Sequence, residues 1–108
     1  MNGMENPHAK QRIIKDISTE DERIQVTGYV KEIDAEKIIL DDTMDTLEVD
    51  ISEVDHDLKE KDLINVMGDL ILQTSGEMIL KALIIQDKNK LNFKYYLKLY
   101  ELKKEIEY

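Results

Sequence analysis

The sequence of 108 residues contains no cysteine, no tryptophan and only one proline. Without cysteine the chain cannot form disulfides, thiolate metal sites or a cysteine nucleophile, which is typical of proteins from a reducing cytosol. The longest apolar run, residues 82–85, is far shorter than the roughly 20 residues of a membrane-spanning helix. The N-terminal segment MNGMENPHAK has no apolar core of a secretion signal. We therefore expect a cytoplasmic, single-domain protein without membrane contact.

Positive charge is scarce in the middle of the chain. The whole sequence has 24 acidic and 15 basic side chains, a formal net charge of −9. Residues 23–75 carry 14 acidic and five basic side chains, whereas residues 76–108 carry five acidic side chains and seven lysines. Affinity for nucleic acid normally needs clustered Lys and Arg beside the phosphates. The central segment is therefore a poor nucleic-acid binder by itself, and any contact with DNA is expected mainly through partners.

Five segments alternate between apolar and polar residues, which is the pattern of half-buried strands. The first strand, from Arg23, places Ile24, Val26, Gly28 and Val30 on one face. Two shorter strands follow at 37–40 and 47–51, separated by turns at 34–36 and 41–45. Residues 62–72 repeat the pattern of the first strand around Gly68. A glycine in mid-strand usually marks a sharp bend or bulge at a barrel corner.

The fifth strand and the C-terminal segment complete the predicted fold. Residues 77–86 have aliphatic side chains at both parities, which predicts that both faces of that strand are covered. The period then changes to 3.6, with Asn89 or Asn92 as the cap of a helix that runs to about Glu107. These elements predict an all-β fold with a terminal helix, a five-stranded Greek-key OB-fold barrel plus a C-terminal α-helix. An SH3-like barrel is the alternative fold. It ranks second because SH3-like barrels do not normally need a C-terminal helix.

Little regular structure is predicted for the segment before the first strand. Residues 1–12 are predicted to form a flexible N-terminal tail, residues 13–88 the OB-fold barrel, and residues 89–108 a C-terminal helix for subunit assembly. The spacing of Ser18 and Asp21 fits a capping box for a single helical turn.

Few residues of the barrel could hold a nucleic acid. Tyr29 is its only aromatic residue, and base stacking contributes about 1–3 kcal/mol per base. Micromolar binding needs about 8 kcal/mol, so one tyrosine supplies only a fraction of it. Lys31 and Lys81 could contact phosphate, although lysines on a strand face more often serve solubility. We take Tyr29, Lys31 and Lys81 as a weak nucleic-acid site.

Neither a metal site nor a catalytic site is expected. The acidic turn with Asp41, Asp42 and Asp45 lacks the ligand spacing and central glycine of a calcium loop. His56 lies between two aspartates in a polar link, with no second histidine nearby. The sequence contains no nucleophile–base pair with an orienting group and no phosphate-binding glycine loop. We expect a protein that is not an enzyme and that uses no cofactor and no metal.

The terminal helix is richer in apolar residues than one buried stripe requires. Asn92, Tyr95, Leu99, Leu102 and Ile106 follow a spacing of three and four, as in a seam between helices. Leu91, Phe93, Tyr96, Leu97 and Tyr100 lie beside that seam or away from it. Such a helix indicates two contact surfaces, whereas the alternative is a single stripe packed on the barrel mouth. The candidate partner interface consists of Leu91, Tyr95, Tyr96, Leu99, Leu102 and Ile106.

The order of motifs is similar to one known family. The lead-in IxxED at 17–21 is followed by RIQVTGYVKEID, IILDD, DLINVMGDLIL and GEMILKALIIQD, and then by the Leu/Glu/Lys helix. In this order the chain resembles the small subunit of the replication protein A (RPA) heterotrimer, in its archaeal form. The xVxGxV strands are generic to OB barrels, so the order of the whole chain carries the resemblance. Met44 departs from the family, where a glycine is usual.

The resemblance implies a structural subunit of a single-stranded-DNA-binding complex in DNA replication, repair and recombination. In that family the C-terminal helices of three subunits pack into a three-helix bundle, and the large subunit holds most of the affinity for single-stranded DNA. Tyr95, Leu99, Leu102 and Ile106 would be bundle residues. An archaeal source would place the protein in the cytoplasm with the nucleoid.

Two other functions remain open on the same residues. One is a free-standing OB-fold nucleic-acid-binding module that works as a homo-oligomer. The other is a telomere-capping-type small OB-fold protein, which shares this architecture and differs in its partner. A barrel that binds a small molecule has no supporting residues.

Overall fold

The structure is a computed structural model that describes residues 9–107. No helix in this range is both long and apolar enough to cross a membrane. Its elements in chain order are strand β1 (Lys10–Gln11), a 3-10 helix (Ile14–Asp16), strands β2 (Arg23–Ile33), β3 (Lys37–Asp41), β4 (Thr46–Asp50), β5 (Leu63–Leu72) and β6 (Met78–Asp87), and helix α1 (Phe93–Glu107).

Strands β2 to β6 close into a five-stranded barrel. The strand order is β2-β3-β4-β6-β5, and β5 pairs back onto β2 to close the ring. Within this ring only β4 and β6 are parallel, with Val49 opposite Leu80. Strand β1 pairs with the first half of β2, where β3 does not reach. The predicted OB-fold barrel with one C-terminal helix is confirmed.

The barrel interior is filled by aliphatic side chains. Ile24, Val26 and Val30 of β2 are buried, as their alternation predicts. Because side chains alternate across a strand, Gln25, Thr27 and Tyr29 lie on the outer face. The other large aliphatic side chains that are essentially inaccessible to water are Ile38, Leu40, Val49, Ile51, Ile64, Val66 and Leu80.

Both mid-strand glycines lie where two backbones approach closely. A Cβ on Gly28 would lie 2.8 Å from the carbonyl oxygen of Asp41, and one on Gly68 would overlap the carbonyl of Lys81. The β5–β6 ladder has its irregularity between Met67 and Gly68. The predicted role of these glycines at tight points of the barrel therefore has a direct steric cause.

The prediction that both faces of β6 are covered is wrong. Leu83 is an extra residue in the ladder, since Ala82 pairs with Gly68 and Ile84 pairs with Met67. The bulge shifts the inward positions from Leu80 and Ala82 to Ile85, which packs against the core. Leu83 and Ile84 are left 39% and 50% exposed. The two parities of aliphatic residues reflect this shift of register.

The segment before β2 is more ordered at its end than the sequence predicts. Residues 1–8 of the predicted tail lie outside the described residues, and the ladder already begins at Lys10, before the predicted boundary at residue 13. The predicted helical turn at 18–21 is a hydrogen-bonded turn, in which the Ser18 amide donates to the Asp21 carboxylate at 2.9 Å. The helical turn lies earlier, at Ile14–Asp16, because Ile14 is drawn into the core.

Helix α1 begins at Phe93, capped by Asn92. The Tyr95 amide donates to the Asn92 side chain at 3.1 Å, and the Tyr96 amide donates to its carbonyl. Asn89, the other candidate cap, instead accepts a hydrogen bond of 2.8 Å from the Leu63 amide. It therefore connects the loop before α1 to β5. Tyr108, the last residue of the predicted helix, lies outside the described range.

Candidate interaction surfaces

One side of α1 packs against the barrel through aromatic rings. Phe93 meets Tyr29 of β2 edge-on, with 5.3 Å between ring centroids, and stacks on Tyr96. The Tyr96 hydroxyl accepts a hydrogen bond of 2.6 Å from Gln11 of β1. Tyr100, one turn further on, is buried. These side chains recur every three or four residues and share one side of the helix, which we call the docking face: Phe93, Tyr96, Tyr100 and Lys104.

Asp16, at the end of the 3-10 helix, receives two side chains of the docking face. The Tyr100 hydroxyl and the Lys104 ammonium group each donate to its carboxylate at 2.8 Å. Burial opposes ionisation of Asp16, but these two hydrogen bonds, together with the positive charges of Lys104 and Lys15, hold its pKa below the ordinary value. Burial, together with the Asp16 carboxylate, raises the pKa of Tyr100. This cluster attaches the second half of α1 to the segment that precedes β2.

That segment is itself attached to the barrel. Arg12 donates two hydrogen bonds of 3.0 Å to the two carboxylate oxygens of Asp21. The bond from Arg12 is the main cause that lowers the pKa of Asp21. The Ile14 amide donates to Asp42 at the end of β3, at 2.7 Å. The docking face therefore rests on a segment that is cross-linked by Arg12 and Asp21 and attached to the barrel through Ile14.

The opposite side of α1 presents an exposed apolar row. Tyr95, Leu99, Leu102 and Ile106 are 59%, 43%, 52% and 82% exposed. We call these four residues the α1 seam. Their spacing of four, three and four places them on one side of the helix, roughly 130° from the docking face at 3.6 residues per turn. The expectation that α1 carries two apolar surfaces agrees with this arrangement, in which the barrel covers only one of them.

Two residues of the predicted partner interface lie elsewhere. Leu91 precedes α1 in the connecting loop, where its amide donates to the Lys88 carbonyl at 2.8 Å. Tyr96 belongs to the docking face, because its hydroxyl is bonded to Gln11. The spacing of Tyr96 beside Tyr95 could not distinguish the two sides, since its partner is 85 positions away in the sequence. The seam itself is brought together as predicted.

The three residues of the predicted nucleic-acid site do not converge. Tyr29 packs against Phe93, and Lys81 forms an ion pair of 2.9 Å with Glu53. On β5, Tyr29 is opposite Leu63 and Lys81 is opposite Asp69. Six residues of strand separate those two positions by roughly 20 Å. Lys31 lies at the irregularity of the β2–β3 ladder, and its side chain is exposed.

The surface that OB barrels use for oligonucleotides is a groove across β3 and β4, bounded by the loops after β2 and β5. In this protein it contains a cleft of about 430 Å³ and an adjoining one of about 220 Å³, which share Glu48 and Ile79. We call both together the groove. Its charged lining residues are Glu36, Lys37, Asp45, Glu48, Asp50 and Glu77. Five of these six side chains are acidic, so the groove is unfavourable for phosphate.

The acidic turn after β3 has a structural role, because its aspartate Asp42 accepts hydrogen bonds from the backbone. Asp42 is fully buried and accepts hydrogen bonds from the amides of Ile14, Met44 and Asp45. Thr43 takes the positive φ of 77° that the turn requires, so the turn forms without the glycine that Met44 replaces. Within residues 9–107 no group of three potential metal-ligating side chains occurs. His56 accepts a 3.3 Å bond from the Leu58 amide in the polar link.

Sequence reasoning missed Asp16 and the floor of the groove. The partners of Asp16 are 84 and 88 positions away in the sequence, so no local pattern could identify them. Ile17 and Ile39 have the apolar character of core residues, yet both are only half-buried where they line the groove. Only the packing of the 3-10 helix beside β3 brings them to the same surface.

Comparison with known proteins finds relatives in structure alone. No protein-family model matches the chain, and no curated protein matches its sequence. A chain of the S. pombe Stn1–Ten1 complex superposes with a TM-score of 0.77 at 18% identity, over 95% of this chain and 98% of that one. The telomere capping protein Ten1 from S. pombe gives a TM-score of 0.76 at 19% identity, over 91% and 99%. The likeness shows the fold.

A third structure shares the barrel more loosely. The hypothetical protein ygiW from E. coli superposes with a TM-score of 0.61 at 15% identity, over 82% of this chain and all of that chain. The two S. pombe chains match over 98% and 99% of their own length.

Proposed function

We propose that this protein is a small, non-enzymatic assembly subunit of a single-stranded-DNA-binding complex, which acts in the cytoplasm and joins a larger OB-fold subunit through α1. The observation that supports this proposal is the α1 seam. A helix that only closed its own barrel would need one apolar side, and the docking face already fills that role. Four exposed side chains at coiled-coil spacing fit a partner helix.

The size of the seam limits how the partner binds. Burial of four such side chains contributes about 2 kcal/mol each, or about 8 kcal/mol in total. Association costs on the order of 4–15 kcal/mol, so the seam alone gives a marginal complex. The partner should therefore also touch the barrel. Leu83 and Ile84, left exposed by the bulge in β6, are suitable for such a second contact.

The structural neighbours favour one form of this proposal. Two of them are described as the Stn1–Ten1 complex and as a telomere capping protein. They support the telomere-capping-type alternative better than the small subunit of an RPA heterotrimer. Both readings give this chain the same task, which is to join a larger OB-fold subunit that makes most of the contact with DNA. They differ in the partner, so identification of the partner separates them.

The test replaces two residues of the seam. Leu99→Asp with Leu102→Asp should leave the barrel folded, because both side chains are exposed, and should abolish co-purification of an OB-fold partner from cells of the source organism. Mass spectrometry identifies the captured protein. Lys98→Asp is the matched control, since it lies on the same helix and changes the net charge by the same amount.

The control should retain the partner. Equal capture by the double variant and by Lys98→Asp would contradict assembly through the seam. Sedimentation of the purified wild-type chain addresses the free-standing module: a stable homo-oligomer that the double variant disrupts would favour that second function over assembly with a larger subunit.

A further inference from the structure

The groove has an apolar floor that is continuous with the core at Ile14 and Ile17. Its floor is built by the 3-10 helix, by the outer face of β3 and by the first residues of β6. Four aliphatic side chains of this floor remain half-buried, which means that they are accessible from the groove: Ile17, Ile39, Met78 and Ile79. A cleft of about 430 Å³ is large enough to receive several side chains of a ligand.

The rim of the groove is acidic and largely without basic partners. Among residues 9–107, Glu48 is the one rim carboxylate with a basic side chain in ion-pair range, and its distance to Lys37 is 4.0 Å. Asp45 and Asp50 accept hydrogen bonds from neighbouring backbone amides. Glu36 and Glu77 are exposed and lie on the two loops that bound the groove. Negative charge therefore faces the cleft from both sides.

These features disfavour a nucleic acid in the groove. Single-strand binding on OB folds combines basic side chains along the backbone with aromatic side chains under the bases. Here the described lining contains one lysine, five acids and no aromatic ring. An aliphatic floor and an acidic rim complement a chain that presents aliphatic and basic side chains in turn.

We propose that the groove binds an extended segment of another protein in which aliphatic residues alternate with lysine or arginine. Successive side chains of an extended chain point to opposite sides. The aliphatic row then packs on Ile39 and Ile79. The basic row points out of the cleft, and its long side chains fold over to the carboxylates of the rim. This peptide site is separate from the α1 seam and does not depend on assembly through the seam.

The test uses a fluorescent peptide of about eight residues that alternates isoleucine with lysine. Fluorescence anisotropy measures its binding to the full chain, and methyl NMR shifts of Ile39 and Ile79 locate it. Glu36→Lys with Glu77→Lys should weaken binding at least tenfold. A peptide with serine in place of isoleucine should not bind, because it offers nothing to the apolar floor.

Asp57→Lys with Glu60→Lys is the matched control. It changes the net charge by the same amount in the polar link before β5, away from the groove, and should weaken binding less than twofold. Equal weakening by both double variants would show general charge attraction and overturn the proposal. The proposal would also be overturned if single-stranded DNA, and not the peptide, shifted the methyl signals of Ile39 and Ile79. Leu99→Asp with Leu102→Asp should still bind the peptide, which separates this site from the seam.

Discussion

Asp42 illustrates how one side chain can determine the shape of a turn. Its carboxylate is fully buried and accepts three backbone amides, which gives a charged group the partners that burial requires. From the sequence, the same residue belongs to a solvated acidic turn. The difference arises because Ile14, 28 positions earlier, brings its amide to this carboxylate only in the folded protein.

Gly68 gives a prediction at the scale of one residue. Gly68→Ala places a methyl group on the carbonyl of Lys81, so β5 and β6 must separate, and we expect a loss of roughly 2–4 kcal/mol in the free energy of unfolding. Urea denaturation measures it. Gly76→Ala is the control: Gly76 has a φ of +91° but open space around it, so its cost should be about 1 kcal/mol. Equal losses would contradict the steric explanation.

The two sides of helix α1 differ in their contacts, because the docking face packs on the rest of the protein and the seam is exposed. Its docking face is held by the packing of Phe93 on Tyr29 and by hydrogen bonds to Gln11 and Asp16. The seam on the other side has no such contact among the described residues and is exposed. Spacing alone identified the seam as a row, but it misassigned Tyr96, because aromatic residues fit either surface. The bulge in β6 is a similar case, since an aliphatic run does not show where its register shifts.

The attachment of α1 should depend on pH. Asp16 and Asp21 have folded-state pKa values below the ordinary 3.8, so the stability they contribute is complete above that pH and is lost as the pH falls through the folded values. The protection of amides in the second half of α1, measured against the exchange of the unfolded chain at the same pH, should therefore fall in acid before the barrel unfolds. Asp16→Asn should show faster exchange already at neutral pH, at a cost of about 1 kcal/mol. If α1 in Asp16→Asn responded to acid as strongly as in the wild type, the response would come from groups other than Asp16.

At the scale of the whole molecule, the distribution of charge explains more than its sum. The net charge of −9 falls on residues 23–75, which form most of the barrel, and the groove keeps this acidic character. The lysines of residues 76–108 lie largely on α1 and on the loop before it. The barrel is therefore unfavourable for DNA, and in the proposed complex the partner would supply the basic surface.

This distribution predicts weak binding by the isolated chain. Single-stranded DNA of about 30 nucleotides should bind no more tightly than micromolar at low salt, since one tyrosine and scattered lysines give too little energy. Fluorescence anisotropy at two salt concentrations measures it. Tight binding that weakens steeply with salt would mean that the barrel itself holds DNA. The complex with the captured partner is the positive control.

The barrel, its strands and the apolar surplus of α1 could be predicted before folding was known, because they depend on local alternation and on spacing along one element. Which of those apolar residues remain exposed depends on tertiary packing. It placed Tyr96 on the barrel and left Leu83 and Ile84 outside. It also assembled the groove from the 3-10 helix, β3 and the start of β6. The physical reason is that burial depends on which elements pack together, and such contacts join residues that are distant in the sequence.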